Sequence, residues 1–382
     1  MALNMIGHIG SVFQEAAIGG PMKATALISV LWLVSLLICI QVSVGQTAGV
    51  NMSQKSQNSG KAKANTSAGK ADSAVIENPV TLFAAYAEDE AGLHHVLVLV
   101  ESLRNFGGRF ANAPVWVYLP EEMLDADTSL LAGLRVLNAD VRSSSAPQDA
   151  SGFPFAGKTF AAAAAESDAA GRAAILVWMD EDTVILDEPA AFALAGNVVL
   201  GYRPVMHQLI GSLYDSPPDA FWSRLYKKLS VPQSALFRMS TVADHKVIRP
   251  YFNAGLLVVR PERGVLRQWV SDFKTLYQDS VFVKMCNQDR LKRIFLHQTA
   301  LTGAILNVAK RKEIIELPDR YNFPLFFADM YGGLSEFDDI TGVVTLRYDI
   351  YFNNPAPDWR KRLKGATDKV TFLGQRLERR TK

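Results

Sequence analysis

The sequence predicts an α/β protein, a mostly parallel sheet with helices on both faces, preceded by one N-terminal hydrophobic helix. Three observations predict it. Short unbroken apolar runs such as VTLFAAY (80–86), VWVYL (115–119) and Ala173–Met179 have the length of strands buried on both faces. Segments of helical periodicity lie between them, the alternation that builds parallel sheets. Residues 25–44, TALISVLWLVSLLICIQVSV, carry no charge and are about as long as a bilayer-spanning helix.

The N-terminal part divides by composition. Residues 1–23 are a short tail, and 24–45 read as a membrane anchor or a signal segment. Met22 offers an alternative start, and Ser43-Val44-Gly45 offers small residues for cleavage. The length of the apolar stretch favours an anchor. Residues 46–78 are rich in Ser, Ala, Asn, Gly and Lys, with little to bury, and read as a flexible stalk. Two N-x-S/T sequons fall there, at Asn51 and Asn65. Lys55, Lys61 and Lys63 follow the apolar segment while Lys23 precedes it, which mildly favours a cytoplasmic C-terminal domain.

The folded domain is expected over 79–350. After the strand at 80–86, apolar residues at Leu93, Val96, Leu97, Val100, Leu103 and Phe106 predict a helix that Gly107-Gly108 stops. A second strand follows at 115–119, and Leu134–Leu137 reads as the start of a third. An Ala-rich helix is expected over 159–170, then a fourth strand at 173–179. Region 201–250 is irregular and aromatic, carrying Arg203, His207, Tyr214, Trp222 and Tyr226, the kind of loop that shapes specificity. Gly255–Val259 is a further apolar run. Pro261 opens a helix with Val265, Leu266, Trp269, Val270, Phe273 and Leu276 inward, and Leu301, Ile305 and Val308 mark another. Ile314–Leu317 and Val343–Leu346 read as strands, and 351–382 as a basic C-terminal extension.

Composition excludes several functions. The chain of 382 residues is 49% hydrophobic, enough for a sizeable core, and its formal charge of +2 argues against nucleic acid as a partner. Cys39 and Cys286 offer no disulfide framework and no zinc site is read. No Gly-x-Gly-x-x-Gly or Walker loop follows the first strand.

The fourth strand ends in Asp180, Glu181 and Asp182. Ligands of open parallel sheets bind at the carboxyl ends of strands. Extended backbone points Asp180 and Asp182 the same way and Glu181 the other. Two such carboxylates suit a hard divalent cation, Mn²⁺ or Mg²⁺; without a cation they repel and one stays protonated. A second Asp-x-Asp, Asp125 and Asp127 before Thr128, follows Pro120-Glu121-Glu122 in a polar loop or first helical turn. The helix dipole alone favours acids there.

The stretch ILVWMDEDTVIL resembles the D-x-D stretch of GT-A-fold glycosyltransferases, which use nucleotide-sugar donors. Three more stretches resemble the glycogenin-like retaining group, in its order. They are Tyr251-Phe252-Asn253-Ala254-Gly255 with LLVVRP, His297-Gln298 with Leu301, and Leu317-Pro318 with Tyr321-Asn322. The resemblance covers about 79–350. It implies a metal-assisted sugar transfer from a nucleotide-diphosphate donor to a glycan, lipid or protein acceptor, with retention. It implies Asp180 and Asp182 as metal ligands, Asn253 and Gln298 as catalytic residues facing the sugar or acceptor, and Tyr86, Gly255 and Asn322 as substrate contacts, Tyr86 by stacking on the base.

Two positions depart from the family pattern. His297 stands where relatives carry an Asp that touches the sugar, and Arg347 where they carry a metal-binding His. Arginine has no lone pair to ligate a cation but clamps a diphosphate bidentately. Either Asp349 replaces the ligand, or Arg347 takes over part of the metal's work. Competing readings are a nucleotidyltransferase, which wants a Gly-rich basic loop where AYAEDEAGLHH stands, and a membrane-tethered carbohydrate-binding protein on a degenerate transferase fold. The donor's whereabouts imply a domain that is cytoplasmic in a bacterium and in the Golgi lumen of a eukaryote.

Overall fold

The computed structural model describes residues 80–125, 128–330, 337–353 and 355–378. The hydrophobic segment at 24–45, the stalk and Asp127 lie outside them. In chain order the strands are β1 (Thr81–Tyr86), β2 (Val115–Leu119), β3 (Ala139–Ser143), β4 (Ile175–Met179), β5 (Thr183–Ile185), β6 (Leu200–Pro204), β7 (Met239–Ser240), β8 (Val247–Ile248), β9 (Phe252–Val259), β10 (Ile314–Glu316), β11 (Phe323–Pro324) and β12 (Thr345–Arg347). The helices are α1 (Glu90–Phe106), α2 (Glu121–Leu124), α3 (Ser129–Val136), α4 (Ala156–Ala169), α5 (Ala220–Lys228), α6 (Val265–Tyr277), α7 (Ser280–Gln288), α8 (Arg290–Val308), α9 (Phe327–Met330), α10 (Trp359–Arg362) and α11 (Thr367–Arg376). Among the described residues no helix is long and apolar enough to cross a membrane.

Seven strands form one sheet in the order β10-β6-β9-β4-β1-β2-β3. Of these seven, β9 alone runs against its neighbours, antiparallel to both β4 and β6. The period of two along β1 splits its side chains between two cores. Leu82, Ala84 and Tyr86 join α4, α6 and α8 on one face; Phe83 and Ala85 join α1 and α3 on the other. Trp178 of β4 and Trp269 of α6 are fully buried in the first of these cores, each large enough that truncation to Ala costs about 3–5 kcal/mol.

One expected strand is corrected. Leu134–Leu137 belongs to the end of a helix, because Thr128 caps α3 by accepting from Leu131 N and the buried pair Leu131 and Leu134 has helical spacing. Asn138, with φ 54°, then turns the chain into β3. Asp125 closes α2 at its C-terminal end, so the dipole argument for acids in a first turn fits Glu121 and Glu122 instead.

A smaller sheet, β11-β12-β5, sits on a third core that includes Val184, Leu186, Leu346 and Tyr348. The chain end contributes to it: Trp359, Phe372, Leu373 and Leu377 are buried there, while Arg360 and Arg376 reach the surface. This small sheet matters because β12 carries Arg347 to the end of β4.

Candidate active site

The site is built from four chain segments. β4 ends at Met179, and the ladder to β9 continues one residue further, Asp180 N–H donating to Gly255 O at 2.9 Å. β5 then pairs antiparallel with β12, setting Arg347 opposite Thr183. Tyr348 N–H donates to Asp182 O at 3.1 Å, which closes the register. Arg347 thus has its backbone fixed beside the acidic pair before its side chain makes a contact.

Its guanidinium joins the two carboxylates. Nη1 donates to Asp180 Oδ2 at 2.9 Å and Nη2 to Asp182 Oδ2 at 2.7 Å. Nε lies 2.7 Å from Asp182 Oδ1 as an ion contact, not aligned for a hydrogen bond. From the first turn of α4, Lys158 Nζ approaches Asp180 Oδ1 at 2.5 Å. All four side chains are 11–15% exposed, buried enough to strengthen the charges yet open to a ligand. Burial alone would raise the Asp180 carboxyl, but Lys158 and Arg347 hold it below its usual range. Arg347 is affected by burial in the opposite sense, and Asp182 and Asp180 keep it charged.

Glu181 turns the other way, toward the first turn of α1. A Cβ on Gly92 would lie 2.9 Å from Glu181 Oε2, so the glycine makes room for it. Burial, then the charges of Asp182 and Asp180, push this carboxyl well above the usual range. Gly255 has the same use on the opposite side. A Cβ there would stand 2.0 Å from Arg347 Nη1 and 2.7 Å from Asp180 Oδ2.

The other sequence-predicted residues divide. Asn253 lies beside the cluster, but its Oδ1 accepts from Gly255 N at 2.7 Å and so braces the start of β9. Gln298, 8% exposed, does similar work: its Oε1 accepts from Ala254 N at 3.2 Å. His297 is buried with Nδ1 against Ile294 O at 2.9 Å and its ring 4.6 Å from that of Phe155. Burial, helped by Lys158, lowers its pKa to about 3, so it is neutral. Tyr86 is packed in the core with its hydroxyl against Gly157, and its ring is not open to stack on a base. Asn322 is 2% exposed with φ 53°, its N–H on Thr345 Oγ1, and its amide makes no hydrogen bond among the described residues.

Much of the 201–250 segment is scaffold. Arg203 is buried on Leu317 O, Trp222 Nε1 donates to Ile210 O, and Tyr226 is buried. His207 is half-buried, and burial takes its pKa down to about 4. Tyr214 lies under the Arg238 guanidinium, 4.8 Å from ring centre.

Sequence reasoning missed Lys158 and Phe155. A signal for Lys158 existed: a lysine in a helix's first turn opposes the dipole and needs an acid nearby. Phe155, 40% exposed, holds φ 63° at the α4 N-terminus, an unusual conformation for an aromatic residue.

The residues do not fit the expected Mn²⁺ or Mg²⁺. Among the described residues no group of three or more His, Cys, Asp or Glu side chains is arranged to hold a metal ion, and Asp349 does not complete one. The oxygens that would face a cation already face a guanidinium and an ammonium. Both carboxylates are already paired with Lys158 and Arg347, and an arginine offers no lone pair to a cation. Asp349, at φ 43°, is pushed up to about 7 by burial and Asp182. It lines a 280 Å³ cleft with Ala91, His94, His95 and Tyr348.

Solved structures similar to the chain include the galactosyltransferase LgtC in complex with donor and acceptor sugar analogues, at 14% identity over 79% of this chain and 98% of that one, TM-score 0.41. Mouse xyloside xylosyltransferase 1 in its apo form is 13% identical over 73% of this chain and 100% of its own, TM-score 0.42. The glycosyltransferase GlyE of Streptococcus pneumoniae is 13% identical over 79% and 61%, TM-score 0.40. No curated protein matches the chain. The family model described as the Rhodobacterales glycosyltransferase domain matches residues 88–308, more than half of the sequence and the whole span from α1 through α8. The chain belongs to this glycosyltransferase family and is an enzyme of sugar transfer.

Proposed function

We propose that the enzyme transfers a sugar from a nucleoside-diphosphate donor to an acceptor hydroxyl, with retention at the sugar carbon. One observation carries the reading: a charged cluster, Asp180, Asp182, Arg347 and Lys158, partly open at the carboxyl end of β4, where open α/β sheets bind ligands. In the reaction the bond from the sugar's anomeric carbon to the diphosphate oxygen breaks, and its electron pair leaves with the diphosphate. The acceptor oxygen forms the new bond, and its proton goes to the departing phosphate oxygen. The developing charge needs fixed positive groups, and Arg347 supplies one. Asn253 and Gln298 hold the backbone at 254–255 so that Gly255 lets Arg347 and donor approach. Retention rests on the ordered stretches shared with the glycogenin-like group.

A panel of nucleotide-sugars, read by released nucleotide, tests the function. One donor is expected to turn over, and Asp182→Asn to lose most of that rate. If no donor turned over and none shifted the melting temperature, the nucleotide-sugar reading would fail. We further propose that 24–45 tethers the enzyme with its catalytic domain in the cytoplasm. The lysines after that segment and a family named for a bacterial order support this orientation. Protease protection in sealed vesicles distinguishes the two sides.

A further inference from the structure

The acidic pair at the end of β4 raises a question that the family's expected chemistry leaves open: what faces the leaving group. We propose that Arg347 and Lys158 together replace the divalent cation, so that Asp180 and Asp182 orient a guanidinium and an ammonium toward the diphosphate instead of binding metal. The inference rests on the nucleoside-diphosphate reading above and deepens it.

Four features carry it. First, the position is built. The β5–β12 register sets Arg347 opposite Thr183, and Tyr348 N–H on Asp182 O fixes the next residue. Second, space is reserved for the guanidinium: at Gly255 any side chain would collide with Nη1. Third, both carboxylates are already paired. Two carboxylates meet one arginine and one lysine within 2.5–2.9 Å. A divalent ion entering among them would meet two fixed positive charges at contact distance, a repulsion that the low-dielectric site would magnify. Fourth, donors remain. Nη1 and Nη2 each give one N–H to a carboxylate and each keeps a second, while Lys158 Nζ keeps two beyond its contact with Asp180. Those N–H groups match the oxygens of a diphosphate.

In the transfer the leaving diphosphate gains the electron pair of the broken bond. Arg347 and Lys158 already stand there and need no reorganisation as that charge grows. The carboxylates act as positioning residues that keep both cations in place when no donor is bound.

Two measurements test this on the intact protein. Titration with Mn²⁺ alone, followed by its electron paramagnetic resonance, is expected to show no stoichiometric site. A tight site lost in Asp182→Asn would overturn the proposal, whatever the activity. Thermal shift with UDP and GDP is expected to show stabilisation by one of them in EDTA, unchanged by Mn²⁺ and weakened about tenfold in apparent affinity by Lys158→Met. Arg347→His serves as the complementary variant, since imidazole can ligate: nucleotide binding in EDTA is expected to fall and Mn²⁺ to restore it. If wild-type binding needed Mn²⁺, the proposal would be wrong and the nucleotide reading would stand. If neither nucleotide bound with or without Mn²⁺, and no nucleotide-sugar turned over, the nucleotide reading itself would be wrong and the proposal with it.

Discussion

Gly255→Ala is the smallest change that reaches the centre of the site. The residue lies in β9 and is not among the residues with positive φ, so alanine adds no backbone strain of its own. The new methyl would begin 2.0 Å from Arg347 Nη1, and ordinary contact starts near 3.4 Å. The guanidinium must therefore retreat by about 1.4 Å, or β9 must shift by as much. The first movement breaks the 2.9 Å bond to Asp180, and the second breaks the 2.9 Å bond from Asp180 N–H to Gly255 O. A charge-assisted hydrogen bond contributes roughly 1.5–3 kcal/mol. For a domain of this size or smaller that is a melting shift of several degrees. Catalysis should suffer more, because a misplacement of about 1 Å in a positioned group costs on the order of 10²-fold. The assay is paired: initial rate of nucleotide release and a thermal melt of the same preparation. A variant that kept more than half its activity would refute the claim that Gly255 exists to seat Arg347.

Three further expectations follow from other contacts. Lys158→Met removes one charge-assisted contact to Asp180 and should lower stability by roughly 1.5–3 kcal/mol, while the transfer rate falls roughly 10²-fold, the effect of losing one preorganised cationic donor; an unchanged rate in the folded variant would make Lys158 structural. Gln298→Leu orphans the buried Ala254 N–H and should destabilise by about 1–3 kcal/mol in denaturant titration. Glu166, buried in α4 with Oε2 accepting from Arg267 N at 2.8 Å, is raised by burial to about 7. Its folded state holds the proton more tightly than the unfolded chain. This group's contribution is therefore most favourable below about 4.5 and declines as pH rises, levelling off above 7. Relative to Glu166→Gln, wild type should lose roughly 2.5 kcal/mol between pH 5 and pH 8; parallel stability curves would contradict this.

The parts of this site differ in how far they can be read from sequence. Asp180 and Asp182 are legible because an unbroken apolar strand ends abruptly in acids, and alternation alone sends both side chains the same way. The reversal of β9 is not legible: a strand buried on both faces has the same apolar run in either direction. Leu134–Leu137 misleads because its three apolar residues, Leu134, Val136 and Leu137, satisfy a strand as well as the last turn of a helix, and the capping Thr128 is the better cue. Gly255 is readable as a close approach, but what approaches is Arg347, brought from 92 residues downstream by a three-residue strand pairing. Gln298 reads as a sugar contact from its neighbours in sequence; its burial under β9 depends on how α8 packs. Lys158 is visible only as an electrostatic anomaly in a first helical turn.

The space between the two aspartates holds either a guanidinium or a metal ion. The most direct measurement is a crystal structure grown with UDP and Mn²⁺, with anomalous scattering recorded at the manganese edge. We expect the Arg347 guanidinium between Asp180 and Asp182, the diphosphate on Arg347 and Lys158, and no anomalous peak within ligand distance of either carboxylate. A manganese peak bridging Asp180 and Asp182, with Arg347 turned away, would contradict it.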